Sequence, residues 1–373
     1  MKRKFFWEIW ILFGFLLLWQ PSRVHALEYG TDDFLVSVHG ILEMNLEMNH
    51  QRPSTFDNHH AFLLINGDIH KNVQFNFETE YRHSGSEIFL NLVELNWKIY
   101  DDIFVIRGGR MLAPIGMYSY RLRYPSRSRL SLIPSINVEI LPENLYVNGF
   151  GIKGVIGKKL QFHYSFAIFN GFEDVIGSQV HSTLPTHEPV EVDGETLPAK
   201  KHNGLDNNED KSISGRIAFR YGKLLEIGAA FLTTVYTDKG CTIEGCENFR
   251  STYYAGDLRV RYKGFELQSE FILNGFDVKK GTRYRYGGYA EFSYQFMFQT
   301  KYPLHSLQPV LRLEWIEPNR ERDDLNDRFK IYGGIKYYPY KNFHIKVEYA
   351  HNIELLVDAV DDYHFGISMV GAY

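Results

Sequence analysis

The chain has 373 residues, 44% hydrophobic and 16% aromatic, and its formal net charge at pH 7 is −4. Residues 1–26 carry four basic side chains and one acidic side chain, so the remaining 347 residues have a net charge of −7. Binding to nucleic-acid phosphates requires clustered positive charge, so this balance excludes a general nucleic-acid-binding protein.

The first element is a secretory signal. A basic start is followed by a mostly apolar run over residues 5–19, which Glu8 interrupts. What remains uninterrupted is too short for a membrane-spanning helix. Val24-His25-Ala26 then matches the small-x-small pattern of a cleavage site. We therefore expect residues 1–26 to be a cleaved signal peptide, with a signal anchor as the alternative, and residues 27–373 to form one domain.

After residue 30 the sequence shows the two-residue period of β-strands and almost no helical period. In VQFNFETEY (73–81), apolar and aromatic residues alternate with polar ones, and segments 160–170 and 342–350 repeat the pattern. A soluble sandwich would turn its polar face to solvent and its apolar face to a core. A transmembrane barrel would turn its apolar face to lipid and its polar face to a wet lumen.

The number of strands and the lengths of their connections favour the barrel. Long polar connections, the longest at 112–145 and 171–211, alternate with short turns, as they do in outer-membrane barrels with an even number of strands. We predict an all-β fold, a transmembrane antiparallel up-and-down β-barrel of 16 strands in the bacterial outer membrane. The predicted strands are 32–46, 59–69, 73–82, 87–99, 103–111, 146–156, 160–170, 212–221, 224–236, 252–263, 265–275, 283–298, 307–316, 328–338, 342–352 and 363–373.

The last predicted strand ends on an aromatic residue, Tyr373. It resembles the final strand of bacterial outer-membrane barrels, whose terminal aromatic, usually phenylalanine, is read by the barrel-insertion machinery. An ordinary C-terminal strand is the alternative. The resemblance implies three partners: outer-membrane lipid, lipopolysaccharide and the insertion machinery.

Arginines are concentrated around the connection between the fifth and sixth strands, the third external loop. RLRYPSRSRL (121–130) has no acidic residue, and only Glu139 and Glu143 oppose the arginines between residues 107 and 146. A guanidinium is permanently charged and can chelate two anion oxygens, and arginine rings in a narrow pore favour anions. Lipopolysaccharide binding and simple solvation are the alternatives. The candidate constriction and anion-binding residues are Arg107, Arg110, Arg121, Arg123, Arg127 and Arg129.

The sequence around this loop resembles the phosphate-selective porin O/P family. FVIRGGRMLAPIG (104–116) carries a Gly-Arg-x-x-x-Pro-x-Gly element, and VNGFGIKGVIGKKLQFHYSFAIFNG (147–171) resembles the two strands that follow it. The resemblance implies an inward-folded third loop, passive diffusion of small hydrophilic solutes such as small anions, and a homotrimer. The phosphate-selective members also use pore lysines, and the third loop here has none. A structural or adhesive barrel with a closed lumen is the alternative.

The two cysteines, Cys241 and Cys246, lie in the predicted external loop after the ninth strand. Their spacing permits a disulfide that would pin this loop, and we favour a disulfide over a metal site because few further ligands lie nearby. The acidic segment 206–210 lacks the glycine and the distal glutamate of a calcium loop, so we interpret it as a polar loop.

Histidines 50, 59 and 60, with Asp57 among them, border the first external loop. We interpret them as solvated side chains rather than a metal site. The sequence has no Gly-x-Ser-x-Gly element, and an omptin-like protease would have ten strands. We therefore expect no enzymatic activity, no cofactor and no metal.

Overall fold

The computed structural model is a single closed barrel of 16 antiparallel strands, which confirms the predicted fold class. It describes residues 27–31, 34–49, 54–141, 145–171, 210–235, 249–278, 281–298, 305–317, 328–354 and 362–373. The barrel strands are β1 Phe34–Asn49, β2 Thr55–His70, β3 Val73–Arg82, β4 Glu87–Tyr100, β5 Phe104–Leu112, β6 Tyr146–Ile156, β7 Leu160–Asn170, β8 Lys211–Tyr221, β9 Leu225–Val235, β10 Arg250–Tyr262, β11 Phe265–Val278, β12 Gly281–Tyr294, β13 Ser306–Glu317, β14 Arg328–Tyr340, β15 Phe343–Glu354 and β16 Asp362–Ala372.

Each strand pairs with the next along the chain, and the barrel closes where β16 pairs with β1 over Ile41–Asn49. A short strand, Leu27–Thr31, pairs with the first residues of β1, where β16 has already ended. Gly40 and Tyr373 exchange main-chain hydrogen bonds at this seam. All 16 predicted strands are present with boundaries shifted by a few residues, and the short strand at residues 27–31 was not predicted.

The alternation in sequence becomes an alternation of faces. Along β11, Glu266, Gln268 and Glu270 point inward and are buried, while Phe265 and Phe271 are exposed on the outer face. The other strands repeat this arrangement, so the outer surface carries the large exposed hydrophobic side chains and the interior carries most of the buried charges. An outward apolar band and a polar interior are what a transmembrane barrel presents to lipid and to its lumen.

Short turns connect the strands at one end of the barrel. In the turn between β10 and β11, Lys263 and Gly264 both have positive φ, of 45° and 86°. Two such residues form the tight turn whose twist matches antiparallel strands. The strand ends that the longer connections join lie at the other end of the barrel, as the sequence predicted. Among the described residues, no helix is long and apolar enough to cross a membrane.

Three short helical elements interrupt the connections: a 3₁₀ turn at His83–Gly85, an α-helix, α1, at Met117–Arg121, and a π-helical turn at Ile136–Ile140. The last two lie in the connection between β5 and β6. Several sequence-based predictions fall outside the described residues: the signal peptide 1–26, His50, most of segment 206–210, and the disulfide between Cys241 and Cys246.

Candidate functional site

The connection between β5 and β6 contacts the inner wall of the barrel along its length. We call its described residues 113–141 the third-loop segment. Three glutamate side chains of the wall accept hydrogen bonds from main-chain N–H groups of this segment. The bonds are Met117 N to Glu270 Oε1 (3.1 Å), Tyr118 N to Glu270 Oε2 (3.0 Å), Ser131 N to Glu348 Oε2 (2.6 Å), Leu132 N to Glu348 Oε1 (3.1 Å) and Ser135 N to Glu314 Oε2 (2.9 Å).

Two wall lysines bind the middle of the segment. Lys336 of β14 donates to the main-chain oxygens of Ser126 and Ser128 at 3.0 and 2.8 Å. Lys346 of β15 donates to the Ser128 hydroxyl at 2.9 Å. The segment is therefore held by inward-facing glutamate and lysine side chains on β11 and on β13–β15, although these strands follow it by more than 120 residues.

Apolar packing holds the segment's two ends. Its isoleucines lie against inward-facing apolar side chains of β7, β9, β10, β11 and β13, so the lumen is not lined by polar residues throughout. Each of these inward apolar residues interrupts the polar face of its strand. This interruption is visible in the sequence and could have indicated that the third-loop segment packs against the wall there. The buried cluster contains Met111, Ala113, Ile115, Ile136, Ile140, Leu141, Leu145, Val147, Ala167, Phe169, Ala230, Leu232, Tyr253, Ala255, Ile272, Phe276, Tyr289 and Ile316.

Three arginines of the segment form ion pairs with wall glutamates. Burial disfavours the charged form of Arg129, yet Glu291 and Glu266 raise its pKa above the ordinary range, so it stays charged. Similarly, partial burial disfavours the charged form of Arg123, yet Tyr146 and Glu78 raise its pKa above the ordinary range. The pairs are Arg121 with Glu226, Arg123 with Glu78 (2.9 Å), and Arg129 with Glu291 and Glu266 (both 2.6 Å).

Arg127 is the exception. Its side chain is exposed, and its guanidinium lies 5.4 Å from the centre of the Tyr124 ring. No carboxylate of the described residues lies within ion-pair distance of it. The positive charge of Arg127 is therefore free to act on a solute.

The two strand arginines of the predicted set lie elsewhere. Arg107 is buried in the wall, 3.7 Å from Glu94, and donates to the main-chain oxygen of Leu112 at 3.0 Å. Arg110 is paired in register with Val93, whose side chain is 45% exposed, and its Nε donates to the main-chain oxygen of Leu90 at 2.6 Å. Directly opposed residues share a face, so Arg110 lies on the outward side of the barrel, away from Arg107 and from the third-loop arginines.

A cavity of about 1040 Å³ lies between the third-loop segment and the short turns of the barrel. Eight basic and three acidic side chains line it. We call it the basic cavity. Its charged lining residues are Arg121, Arg127, Arg129, Lys153, Arg216, Arg220, Arg259 and Arg261 on the basic side, and Asp102, Glu226 and Glu266 on the acidic side.

Each of the two glutamates in the basic cavity is shared by three arginines. Glu226 is bound by Arg121 of the segment and by two arginines of β8, and Glu266 by Arg129 of the segment and by two arginines of β10. The strand alternation of β8 and β10 places these wall arginines on the inward face, whereas nothing in the sequence groups them with the segment arginines. The further pairs are Glu226 with Arg220 (3.1 Å) and Arg216 (3.5 Å), and Glu266 with Arg259 (2.5 Å) and Arg261 (3.0 Å).

No protein-family model matches the sequence, and no curated protein sequence matches it. Solved structures do match the fold. The anion-selective porin from Comamonas acidovorans has a TM-score of 0.62 at 11% identity, over 91% of this chain and 100% of that chain. OmpF of Salmonella typhi, in complex with daunomycin, has a TM-score of 0.61 at 12% identity, over 93% and 100%.

A third similar structure is the trimer form of OmpT, an outer-membrane protein of Vibrio cholerae, with a TM-score of 0.57 at 11% identity over 92% of this chain and 100% of that chain. These likenesses establish that the chain has the fold of bacterial outer-membrane porin barrels. The resemblance to the phosphate-selective O/P family stays a prediction.

Proposed function

We propose that this protein is an outer-membrane porin that lets small hydrophilic solutes diffuse passively and that prefers anions. The observation that carries this proposal is the basic cavity, in which eight basic side chains face three acidic ones. A chain with an acidic overall balance has concentrated positive charge on one internal surface.

The sharing of glutamates supports the anion preference. A second carboxylate joins each group, because Arg216 also pairs with Asp257 and Arg129 also pairs with Glu291, both at 2.6 Å. Two carboxylates neutralise at most two of three guanidiniums, so each group leaves positive charge within reach of a solute. Inside a narrow lumen with low-dielectric walls, such uncompensated charge concentrates anions and excludes cations.

The third-loop segment supports a constriction at this level. Its hydrogen bonds to inward-facing side chains of β11 and β13–β15 favour a path across the lumen, the inward-folded loop that the family resemblance implies. In this proposal Arg121, Arg123 and Arg129 fix the segment to the wall, and Arg127 presents its charge to passing solutes. Arg107 contributes from the wall, and Arg110 has no part in the constriction.

The remaining partners follow from the same proposal. The outer face meets outer-membrane lipid and lipopolysaccharide, the final strand up to Tyr373 is the part that the insertion machinery reads, and the protein assembles as a homotrimer. Phosphate is one candidate anion, on the resemblance to the phosphate-selective family alone. Residues 1–26 are the cleaved signal peptide in this proposal.

Planar-bilayer recordings test the function. The refolded protein is expected to produce discrete conductance steps, and in a KCl gradient its reversal potential is expected to have the sign of chloride preference. A protein that inserts but never opens contradicts the porin proposal and supports the structural or adhesive barrel instead. A reversal potential of cation sign leaves a porin but overturns the anion preference.

A further inference from the structure

A cluster of two histidines and one aspartate lies at the end of the barrel opposite the short turns. The carboxylate oxygen Oδ2 of Asp57 is 3.1 Å from Nδ1 of His59 and 2.7 Å from Nδ1 of His83. Asp57 and His59 belong to the start of β2, whereas His83 belongs to the 3₁₀ turn between β3 and β4. The three ligand atoms all lie within 4.8 Å of one another.

A β-bulge aims His59 at this cluster. The register of β1 with β2 shifts so that Glu43 opposes His60 while Asn45 opposes Asp57. One residue of β1 therefore faces two residues of β2, and His59 is one of the two. Without the bulge, consecutive side chains would alternate faces, but here the rings of His59 and His60 lie 4.2 Å apart. Bulges of this kind re-aim a side chain and occur frequently beside functional sites.

His83 enters the cluster through an unfavourable backbone conformation. Its φ is +47°, in the left-handed region that costs a residue with a Cβ about 1–2 kcal/mol. This conformation turns the imidazole toward Asp57, which accepts its hydrogen bond. Local strain at a position that brings a metal-ligating side chain to two others is a reason to look for function there.

The neighbouring histidine, His60, already has a different partner. Nδ1 of His60 is 2.6 Å from Glu80, and Glu80 also binds Arg82 at 2.6 Å. This pair packs beside the cluster and fixes the His60 ring, so His59 and His83 are the imidazoles whose shared partner is Asp57. Both are partly exposed, with side-chain accessibilities of 31% and 29%, so an ion can reach them from solvent.

We propose that Asp57, His59 and His83 form a binding site for a divalent transition-metal cation of the Zn²⁺ type. Two imidazoles and one carboxylate are a typical zinc ligand set with one open position. Nitrogen ligands favour Zn²⁺, Ni²⁺ and Cu²⁺ over Mg²⁺ and Ca²⁺, which prefer oxygen. Tetrahedral ligands of zinc lie about 3.3 Å from each other. The two imidazole nitrogens lie 3.1 and 2.7 Å from the Asp57 oxygen and within 4.8 Å of each other, so the three atoms are close enough to surround one ion after local adjustment.

Such an ion would join two external connections that the chain itself does not join. Asp57 and His59 follow the first external connection, and His83 lies in the second. Metal binding would therefore crosslink the mouth of the barrel between β2 and the β3–β4 turn. This site is independent of the basic cavity and of the proposed transport function.

Calorimetric titration of the folded full-length chain in detergent, without a polyhistidine tag, tests the site. Wild type and the control His70→Gln, an exposed histidine in the turn region at the opposite end, are expected to bind one Zn²⁺ that Mg²⁺ does not displace. Asp57→Asn and His83→Gln are expected to weaken this binding by more than about 10-fold, since even outer-shell changes at metal sites cost that much. Weak Zn²⁺ binding by other histidines is expected in wild type and in all three variants, so it does not affect the comparison between them.

The fold of each variant is checked first by its shift in electrophoretic mobility on heating. A folded His83→Gln protein that binds Zn²⁺ as tightly as wild type overturns the proposal, and so does equal competition by Mg²⁺. If His83→Gln fails to fold, the folded His59→Gln protein decides in its place, with the same expected loss. A Zn²⁺-dependent rise in the thermal unfolding temperature of wild type, absent in the variants, is the second expected result.

Discussion

Arg127 offers the sharpest test of the anion preference, because it is the exposed arginine of the third-loop segment and no described carboxylate pairs with it. We expect Arg127→Ala to remove one positive charge from the basic cavity without leaving a buried carboxylate unpaired. The neighbouring Arg129 does not share this advantage, because it is buried and its removal would take one ion-pair partner from each of two buried carboxylates, Glu266 and Glu291.

The size of the effect follows from the cavity. A sphere of 1040 Å³ has a radius of about 6 Å, so an ion at its centre lies about 6 Å from each lining charge. At that distance, the Coulomb energy between a monovalent ion and one lining charge is about 0.7 kcal/mol in water. Screening at 0.1 M salt reduces this energy to about 0.4 kcal/mol. Anion occupancy then falls about twofold and cation occupancy rises about twofold, so the chloride-to-potassium permeability ratio drops about fourfold.

The assay is the reversal potential in a KCl gradient at 0.1 M mean salt. Arg127→Lys retains the charge and is expected to stay near wild type. Lys71→Ala removes the same charge from an exposed turn outside the basic cavity and is the matched control. If Arg127→Ala changes the permeability ratio no more than Lys71→Ala does, the reasoning that assigns selectivity to this cavity fails.

Four further variants test the anchoring of the segment and the closing seam. Glu270→Ala removes the acceptor of two main-chain N–H groups and is expected to lower the free energy of unfolding by about 3 kcal/mol, measured in urea, and to increase open-channel noise. Gly116→Ala is expected to cost more than about 1 kcal/mol in the same measurement, because φ there is +69° and a Cβ would lie within 2.4 Å of Glu270 Oε1. Tyr373→Ala is expected to lower the folded fraction after refolding and Tyr373→Phe to preserve it, because the ring covers Gly40; equal yields from both would contradict a packing role.

The strands could be predicted because the information in them is local. Each strand of a transmembrane barrel touches two solvents, lipid and water, so every second residue reports its own environment. The faces of β11, with Glu266, Gln268 and Glu270 inside, can be read without knowing what they contact. The same rule places the arginines of β8 and β10 on the inward face.

The loop could not be predicted in this way, because its contacts join residues far apart in sequence. Arg129 and Glu291 are separated by 162 residues, and the sequence around neither residue indicates that the two side chains form an ion pair. Arg110 was grouped with the constriction because of its type and position, although strand register directs it outward. The proposed metal site of Asp57, His59 and His83 was not predicted for the same reason. His83 is 26 residues from Asp57, and only the fold of the backbone brings the two side chains together.

The seam between β16 and β1 has a consequence for how the chain reaches its folded state. Ser368 of β16 bonds Glu43 of β1 across 325 residues of chain, and closing a loop of that length costs about 5 kcal/mol of chain entropy. The chain loses this entropy before β16 and β1 form their first hydrogen bond, so their pairing is expected to come late in folding. A chain that lacks its final strand, β16, leaves the edges of β1 and β15 unpaired, and its sheet cannot close into a barrel. Closure of the barrel must therefore wait until the final strand is available, whatever the order in which the other strands pair.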